Sequence, residues 1–129
     1  MNLNQVTVPS TDVVRAAEFY RTLGLIQIVE ARPDYARFEC PDGDGTLSVE
    51  RVDEVARGHG VVVYFECDDL DERVRALELA GVSFISGPRD ERWLWREARL
   101  RDPDGNAICL FRAGTNRRFP PWRLEQPPA

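Results

Sequence analysis

The stretch EARLRDPDG at residues 97–105 decides the fold, because YARFECPDG at residues 35–43 is an earlier copy of it. Five of the nine positions are identical (alanine, arginine, proline, aspartate and glycine), at a constant spacing of 62 residues. Pro-Asp-Gly is typical of a tight turn, since proline presets φ and glycine accepts a positive φ. We therefore predict a tandem repeat in which each Pro-Asp-Gly closes a hairpin.

A helical pattern precedes each copy of this stretch. The segments TDVVRAAEFYRTLG at 11–24 and DDLDERVRALELAG at 68–81 both carry apolar residues at steps of three and four, which gives each helix one face to bury. Each pattern starts at possible capping side chains and ends at a glycine suited to the left-handed position after a last turn. These residues are Ser10 or Thr11 and Gly24 in the first helix, and Asp68 or Asp69 and Gly81 in the second.

Short runs rich in β-branched and aromatic residues flank both helical patterns. One run precedes each helix and three follow it, so the order in each half is β, α, β, β, β. The runs cover residues 3–8, 25–29, 35–40 and 45–51 in the first half, and 61–67, 83–86, 93–101 and 107–112 in the second. We predict an α+β fold of two tandem βαβββ modules.

One domain can hold both modules, because 129 residues are enough to bury a single core. Module one is predicted at about residues 1–52 and module two at about 61–112, with a polar linker at 53–60. The tail at 113–129 is rich in proline, which excludes a long helix or strand. We expect Phe119 and Trp122 to dock this tail on the surface.

Composition limits the partners and the compartment. A net charge of −5 argues against a nucleic-acid or anionic-membrane partner, since both require a basic face. Cys40, Cys67 and Cys109 have neither a Cys-x-x-Cys spacing nor the density of a disulfide scaffold, which indicates reduced thiols. No apolar run approaches the length of a membrane span, and residues 1–10 do not resemble a signal peptide. A cytoplasmic protein is expected.

Four stretches together resemble one known superfamily. They are QVTVPSTD at 5–12, AAEFYRTLGL at 16–25, FECDDLDE at 65–72 and LRDPDGNAICLF at 100–111. The set is similar to the vicinal-oxygen-chelate superfamily of glyoxalases, extradiol dioxygenases and bleomycin-resistance proteins, over about the first 112 residues. The resemblance implies that each module curls into a half-barrel sheet and that the two sheets line an open cleft. In enzymes of this type the cleft holds one divalent metal ion, which chelates neighbouring substrate oxygens.

The resemblance also implies four metal-ligand positions, which fall on Gln5, Val62, Cys109 and either Glu50 or a residue two positions from it. A transition metal needs about three or four donors, but Val62 offers none, and Cys109 would have to ionise in an apolar site that opposes ionisation. The only histidine, His59, is interpreted as a solvated linker residue. We therefore expect no metal; if one binds, its ligands are Gln5, Glu50 and Cys109.

Glu66 is the candidate catalytic base. On a regular strand it shares a face with Val62 and Tyr64, and burial among aromatic side chains would raise the pKa of its carboxyl group. A buried ion pair with Arg96 or Arg99 explains the same position equally well, and a strand bulge would leave Glu66 in solvent.

Two tryptophans lie close together in the second module. Trp93, Trp95 and Glu97 are predicted on one face of a strand, with Leu94 and Arg96 on the other. Aromatic rings in a concave site suit flat or cationic ligands through stacking and cation–π contacts. The alternative is that these rings cover the barrel edge or a dimer contact.

Two functional hypotheses follow. The first is a metal-independent binding protein of the bleomycin-resistance type for a small, flat or cationic molecule. The second is a metal-dependent lyase or dioxygenase of the glyoxalase or extradiol type. The residues expected to line the binding site are Gln5, Glu50, Val62, Tyr64, Glu66, Trp93, Trp95 and Cys109. A symmetric homodimer is expected, with the Trp-bearing tail as a candidate contact.

Overall fold

The structure is a computed structural model that describes residues 1–56 and 60–125. By its internal contacts the chain divides into two compact units. Unit one comprises Met1–Val63 and Arg101–Ile108, and unit two comprises Tyr64–Leu100 together with the chain from Cys109 onwards. His59, predicted as a solvated linker residue, lies outside the described residues, as do the other linker residues 57 and 58.

The order of strands and helices confirms the α+β prediction of a repeated βαβββ unit. The first set is β1 (Gln5–Ser10), α1 (Val13–Leu23), β2 (Ile26–Ala31), β3 (Tyr35–Glu39) and β4 (Thr46–Arg51). The second is β5 (Val62–Glu66), α2 (Leu70–Leu79), β6 (Phe84–Asp90), β7 (Arg96–Arg101) and β8 (Ala107–Arg112), followed by a short 3-10 helix at Gly114–Arg117. Each set forms an open four-stranded sheet, with strand orders β1-β4-β3-β2 and β5-β8-β7-β6.

The ends of α1 show how the sequence sets its length. The N-cap is Asp12, whose carboxylate accepts the backbone N–H of Arg15 at 3.1 Å. Ser10, one of the two predicted caps, instead accepts the N–H of Asp12 at 3.0 Å. Gly24 ends the helix with φ of +116°, a value that glycine adopts without strain. The predicted C-terminal residue Gly24 was correct. The N-cap is Asp12, one residue after the predicted Thr11.

The sheet of unit one separates an apolar face from a polar face. β4 lies between β1, which runs parallel to it, and β3, which runs antiparallel. Alternation along the strands places the buried side chains of Phe38, Leu47 and Val49 on the face that packs against α1. Tyr20 of α1 contacts the Phe38 ring at 5.8 Å between centroids. Each fully buried large apolar side chain contributes roughly 1.5–3 kcal/mol.

The second Pro-Asp-Gly turn is fastened to α1 through a buried carboxylate. The Tyr20 hydroxyl donates to Asp102 at 2.7 Å, and the Asn106 amide donates to the same carboxylate oxygen at 2.8 Å. Burial, followed by the neighbouring Asp102, raises the pKa of Tyr20 far above its usual value, so its hydroxyl stays protonated and donates. The stretches AAEFYRTLGL at 16–25 and LRDPDGNAICLF at 100–111, which carry the family resemblance, are therefore in direct contact.

The same turn also reaches the start of α1. Asn106 donates to the carbonyl oxygen of Pro9 at 2.9 Å. The carboxylate of Asp104 accepts both the backbone N–H of Thr11, at 2.9 Å, and its hydroxyl, at 3.1 Å. These bonds explain why residues 101–108 group with unit one.

The predicted start of β7 was wrong. β7 begins at Arg96, not at Trp93, because residues before it form a turn in which the N–H of Leu94 donates to Glu91 at 3.1 Å and Leu94 has φ of +68°. Phe119 and Trp122, which were expected to dock the tail, are each 57% exposed.

Arg118 and Arg123 lie over the Phe119 ring, with guanidinium-to-centroid distances of 5.5 and 4.4 Å. This ring therefore contacts charged side chains of its own tail.

Within residues 1–56 and 60–125, neither α-helix is long and apolar enough to cross a membrane.

Candidate functional site

Three aromatic rings of unit two form a cluster on one face of its sheet. Trp95 stacks on Phe111 with 4.6 Å between centroids and 19° between planes. Tyr64 meets both rings edge-on, at 6.0 Å from Trp95 and 5.7 Å from Phe111. Phe111 is buried, whereas Tyr64 is 45% exposed. The cluster therefore has a buried base and an exposed edge.

A buried carboxylate lies beside these rings. Glu97 is 3% exposed, and it accepts the indole N–H of Trp93 at 2.6 Å. Its second oxygen accepts from the Arg99 guanidinium and from the Cys109 thiol, whose sulfur lies 3.3 Å away. A buried carboxylate is stable only when it is paired and hydrogen-bonded, and these three donors satisfy both conditions. Trp93 was predicted on the same strand face as Glu97; it contacts Glu97 from a turn that precedes β7.

Arg99 joins the carboxylate to the aromatic rings. Its guanidinium lies over the Tyr64 ring at 5.5 Å, and Nη2 is 3.5 Å from the Tyr64 hydroxyl. The Arg99 side chain is 37% exposed. We call this set the aromatic–charged cluster. Its members are Tyr64, Trp93, Trp95, Glu97, Arg99, Cys109 and Phe111.

Alternation along the strands explains why these residues meet. Trp95, Glu97 and Arg99 are two residues apart in sequence, as are Cys109 and Phe111, so each set points to one side of the sheet. β7 and β8 are neighbours in this sheet. Sequence reasoning had identified the face with Trp95 and Glu97 but did not assign Arg99 and Phe111 to it.

Cys109 is a neutral thiol at physiological pH. Burial, and then the hydrogen bond to Glu97, raise the pKa of Cys109 to about 12. A thiolate is the form that acts as a nucleophile or a metal ligand. Cys109 is therefore suited to packing and to donating a hydrogen bond.

Glu66 is hydrogen-bonded to the chain that follows β8. Its carboxylate accepts the backbone N–H groups of Ala113 and Gly114 at 2.8 and 2.9 Å. The Arg117 guanidinium is 4.0 Å from its other oxygen. Glu66 thus caps the start of the 3-10 helix, where free N–H groups and a carboxylate attract each other.

The predicted ion pairs of Glu66 were wrong. Arg96 binds Asp71 through two bonds of 2.8 and 3.2 Å, and it also contacts Asp90 at 3.1 Å. Arg99 binds Glu97. Both arginines lie on the strand β7, and carboxylates other than Glu66 occupy them.

The remaining predicted residues lie in unit one. Gln5 begins β1, and its side-chain oxygen accepts the Thr46 hydroxyl at 3.0 Å. Glu50 is exposed on β4, opposite Tyr35 of β3. Val62 begins β5 and is half-buried.

A tyrosine on the polar face of unit one was missed by sequence reasoning. The Tyr35 and Ser48 hydroxyls are hydrogen-bonded at 2.8 Å, and the Tyr35 hydroxyl accepts from Arg37 at 2.9 Å. The bond with Ser48, and then the Arg37 guanidinium, lower the pKa of Tyr35 against the opposing effect of burial. Arg37 and Arg99 are the matched arginines of the repeat, and each lies over a tyrosine ring, at 5.4 and 5.5 Å. The arginine that both repeats share was the sequence feature that could have drawn attention to Tyr35.

The donors at the family's ligand positions do not fit a transition metal. β4 and β8 both have six residues, so the third position of β8, Cys109, matches Ser48 of β4. Ser48 is fully buried and bonded to Tyr35, Cys109 is a protonated thiol, and Val62 is a hydrocarbon. Across the residues that the structure describes, no three His, Cys, Asp or Glu side chains form a cluster able to hold a metal.

The fold and the site together define a class of protein. Its members have two tandem βαβββ modules, and here one sheet carries an aromatic and charged face. The chain belongs to the Glyoxalase/Bleomycin resistance protein/Dioxygenase superfamily, whose family model matches residues 2–110. Members of this superfamily bind small molecules, often hold a metal and often form dimers.

Two curated proteins illustrate the relationship. The chain is 32% identical over 126 residues to the anthracycline biosynthesis protein DnrV of Streptomyces peucetius, covering 81% of this chain but 44% of that protein. It is 29% identical over 126 residues to the uncharacterised protein YraH of Bacillus subtilis, covering 87% of this chain and 98% of that one. The chain thus spans less than half of the Streptomyces relative.

Solved structures share the fold. A glyoxalase/bleomycin resistance protein/dioxygenase from Nocardioides superposes with a TM-score of 0.75 at 24% identity, covering 96% of this chain and 89% of that one. Identity at this level supports the fold alone.

Proposed function

We propose that the chain binds a flat small molecule on the aromatic–charged cluster of unit two, without a metal ion. The exposed edge of Tyr64 beside stacked Trp95 and Phe111 carries this proposal. Rings with a buried base stay in place, so a flat ligand can pack on them at a small entropic cost.

The comparisons support a small-molecule role. The superfamily binds small molecules, and the name of DnrV assigns that protein to anthracycline biosynthesis. We further propose that the chain acts as a cytoplasmic homodimer. Three free thiols, at Cys40, Cys67 and Cys109, are in keeping with a reducing compartment.

A fluorescence titration tests the binding site. Acridone, a flat tricyclic carbonyl compound, is titrated into the protein while tryptophan emission is recorded. Because Trp95 provides stacking area, Trp95→Leu is expected to weaken binding at least about tenfold. Trp122→Leu is the matched control, since Trp122 lies in the tail, and it is expected to bind as wild type does. Equal affinity of wild type and Trp95→Leu would contradict the proposal.

Elemental analysis separates this proposal from the metal-dependent lyase or dioxygenase. The untagged protein is analysed as purified and then titrated with Zn²⁺, Fe²⁺ and Ni²⁺ by calorimetry after chelation. We expect no tight binding, because Val62 offers no donor atom and the Ser48 hydroxyl and the Cys109 thiol do not suit these ions. About one equivalent of metal bound with sub-micromolar affinity would instead support the enzyme.

A further inference from the structure

The geometry points to Arg99 as the residue that selects the ligand. We infer that it donates hydrogen bonds to an acceptor oxygen, a carbonyl or a carboxylate, on the edge of a flat aromatic molecule. The inference rests on the proposed function and adds the chemical class of the ligand. A ligand group that only donates, such as an aromatic N–H, cannot replace that oxygen, since a guanidinium has donors only.

The hydrogen bonds of Arg99 leave part of its guanidinium available. Within the described residues, both of its bonds, to Glu97 and to the Tyr64 hydroxyl, start at Nη2. Nε and Nη1 together carry three further N–H groups. The side chain is 37% exposed and lies beside the exposed ring of Tyr64. A ligand packed on that ring would therefore place its edge within reach of these donors.

The position of Arg99 is fixed before any ligand arrives. Glu97 holds the guanidinium, and Glu97 is itself held by the indole of Trp93 and the thiol of Cys109. Tyr64 supports the guanidinium from its ring face. A donor fixed in this way loses little conformational entropy on binding, which favours a directional hydrogen bond.

The charge of Arg99 is already balanced by Glu97. A neutral carbonyl oxygen can therefore be bound without leaving a buried charge unpaired. A carboxylate gains a charge-assisted bond but also lies close to Glu97. The carbonyl and the carboxylate both offer an acceptor oxygen, and matched pairs of probes distinguish the two groups.

The test uses two pairs of flat probes. Acridone and carbazole are tricycles with and without a carbonyl, and 2-naphthoate and naphthalene differ by a carboxylate. Affinities are measured by fluorescence titration with wild-type protein. We expect at least one oxygen-bearing probe to bind about tenfold more tightly than its partner, because a hydrogen bond to a charged group is worth roughly that factor.

The variants remove the donor without leaving Glu97 unpaired. Glu97→Gln and the double variant Glu97→Gln/Arg99→Met differ only at Arg99, and the preference for the oxygen-bearing probe should disappear in the double variant. Arg99→Lys keeps the charge that pairs with Glu97 but lacks the planar fork, so it should reduce the preference. Arg75→Met, an exposed change on α2, is the matched control and should retain it.

Each outcome decides the question. Equal binding of both members of both pairs, with Trp95 still required, would overturn the role of Arg99 and leave the proposed site standing. Retention of the preference in Glu97→Gln/Arg99→Met would do the same. A third outcome is that wild type binds none of the four probes and that Glu97→Gln/Arg99→Met dissociates a dimer in sedimentation. In that case the face binds a second copy of the chain, and the inference fails.

Discussion

At the scale of single residues, the acidic side chain beside Cys109 is the distinctive feature of the site. The resemblance expects a carboxylate on the last strand, where this chain has a thiol. A buried carboxylate is nevertheless present on β7, with one oxygen 3.3 Å from the Cys109 sulfur. Its donors are an indole, a guanidinium and a thiol. The site therefore contains a buried carboxylate whose oxygens already accept from protein donors.

The raised pKa of Cys109 predicts a loss of stability at alkaline pH. The pKa rises from 9.0 in an exposed thiol to about 12 in the folded chain. The thiol therefore ionises first in the unfolded state, and its contribution to stability is complete below pH 9 and is lost as pH rises towards 12. Urea unfolding between pH 8 and pH 11 should show wild type losing up to about 1.4 kcal/mol per pH unit more than Cys109→Ala.

Cys40→Ala serves as the control for this measurement. Burial also raises the pKa of Cys40, in the same direction, but that thiol is partly exposed. Its removal should change the pH slope less than Cys109→Ala does. Identical slopes for wild type and Cys109→Ala would show that the thiol does not stay protonated.

At the scale of strands and helices, the internal repeat predicted the order of the elements correctly, whereas the start of one strand was missed. Five identities at a fixed spacing, with two helical patterns, were enough to give the order of elements in both modules. The start of β7 was missed because Trp93 and Trp95 favour a strand, while the hydrogen bond from Leu94 to Glu91 closes a turn there. Local preference cannot reveal such a turn when its sequence carries no glycine or proline.

The candidate site was predicted only in part, for a related reason. Alternation placed Trp95 and Glu97 on one face, but Tyr64 and Phe111, the aromatic partners of Trp95, lie on other strands. Strand pairing determines those contacts, and the sequence does not state it directly. The hydrogen bonds of Glu66 were not predicted, because they are made with the backbone of residues 113 and 114, which no side-chain pattern reveals.

The bond between Tyr20 and Asp102 predicts a specific effect on stability. Tyr20→Phe removes the hydroxyl that donates to the buried carboxylate at 2.7 Å. We expect the free energy of unfolding in urea to fall by about 1–3 kcal/mol, the usual cost of a lost buried hydrogen bond to a charged group. Tyr64→Phe, at an exposed tyrosine with a bond of 3.5 Å, should change it by less than about 0.5 kcal/mol. A smaller effect at Tyr20 than at Tyr64 would contradict the role assigned to this bond.

At the scale of the whole molecule, the exposed tail bears on self-association. Trp122 is 57% exposed, and exposed tryptophans are enriched at protein interfaces. Sedimentation velocity across a range of concentrations should show a dimer, and Trp122→Ala should raise its dissociation constant about tenfold. Leu79→Ala, at an exposed apolar residue of α2, is the control and should leave the dimer unchanged. A wild-type monomer at all concentrations would rule out this assembly.

The Asp102 turn also has a consequence for how the chain is made. Unit one draws its last segment, Arg101–Ile108, from far down the chain, and the bond from Tyr20 to Asp102 spans 82 residues. During synthesis on the ribosome, α1 emerges long before its partner carboxylate, so unit one cannot complete its core until residues 101–108 have been translated. Closing so long a loop also slows refolding from denaturant. A nascent chain that has not yet reached residue 101 is therefore the stage at which a chaperone would be most useful to this protein.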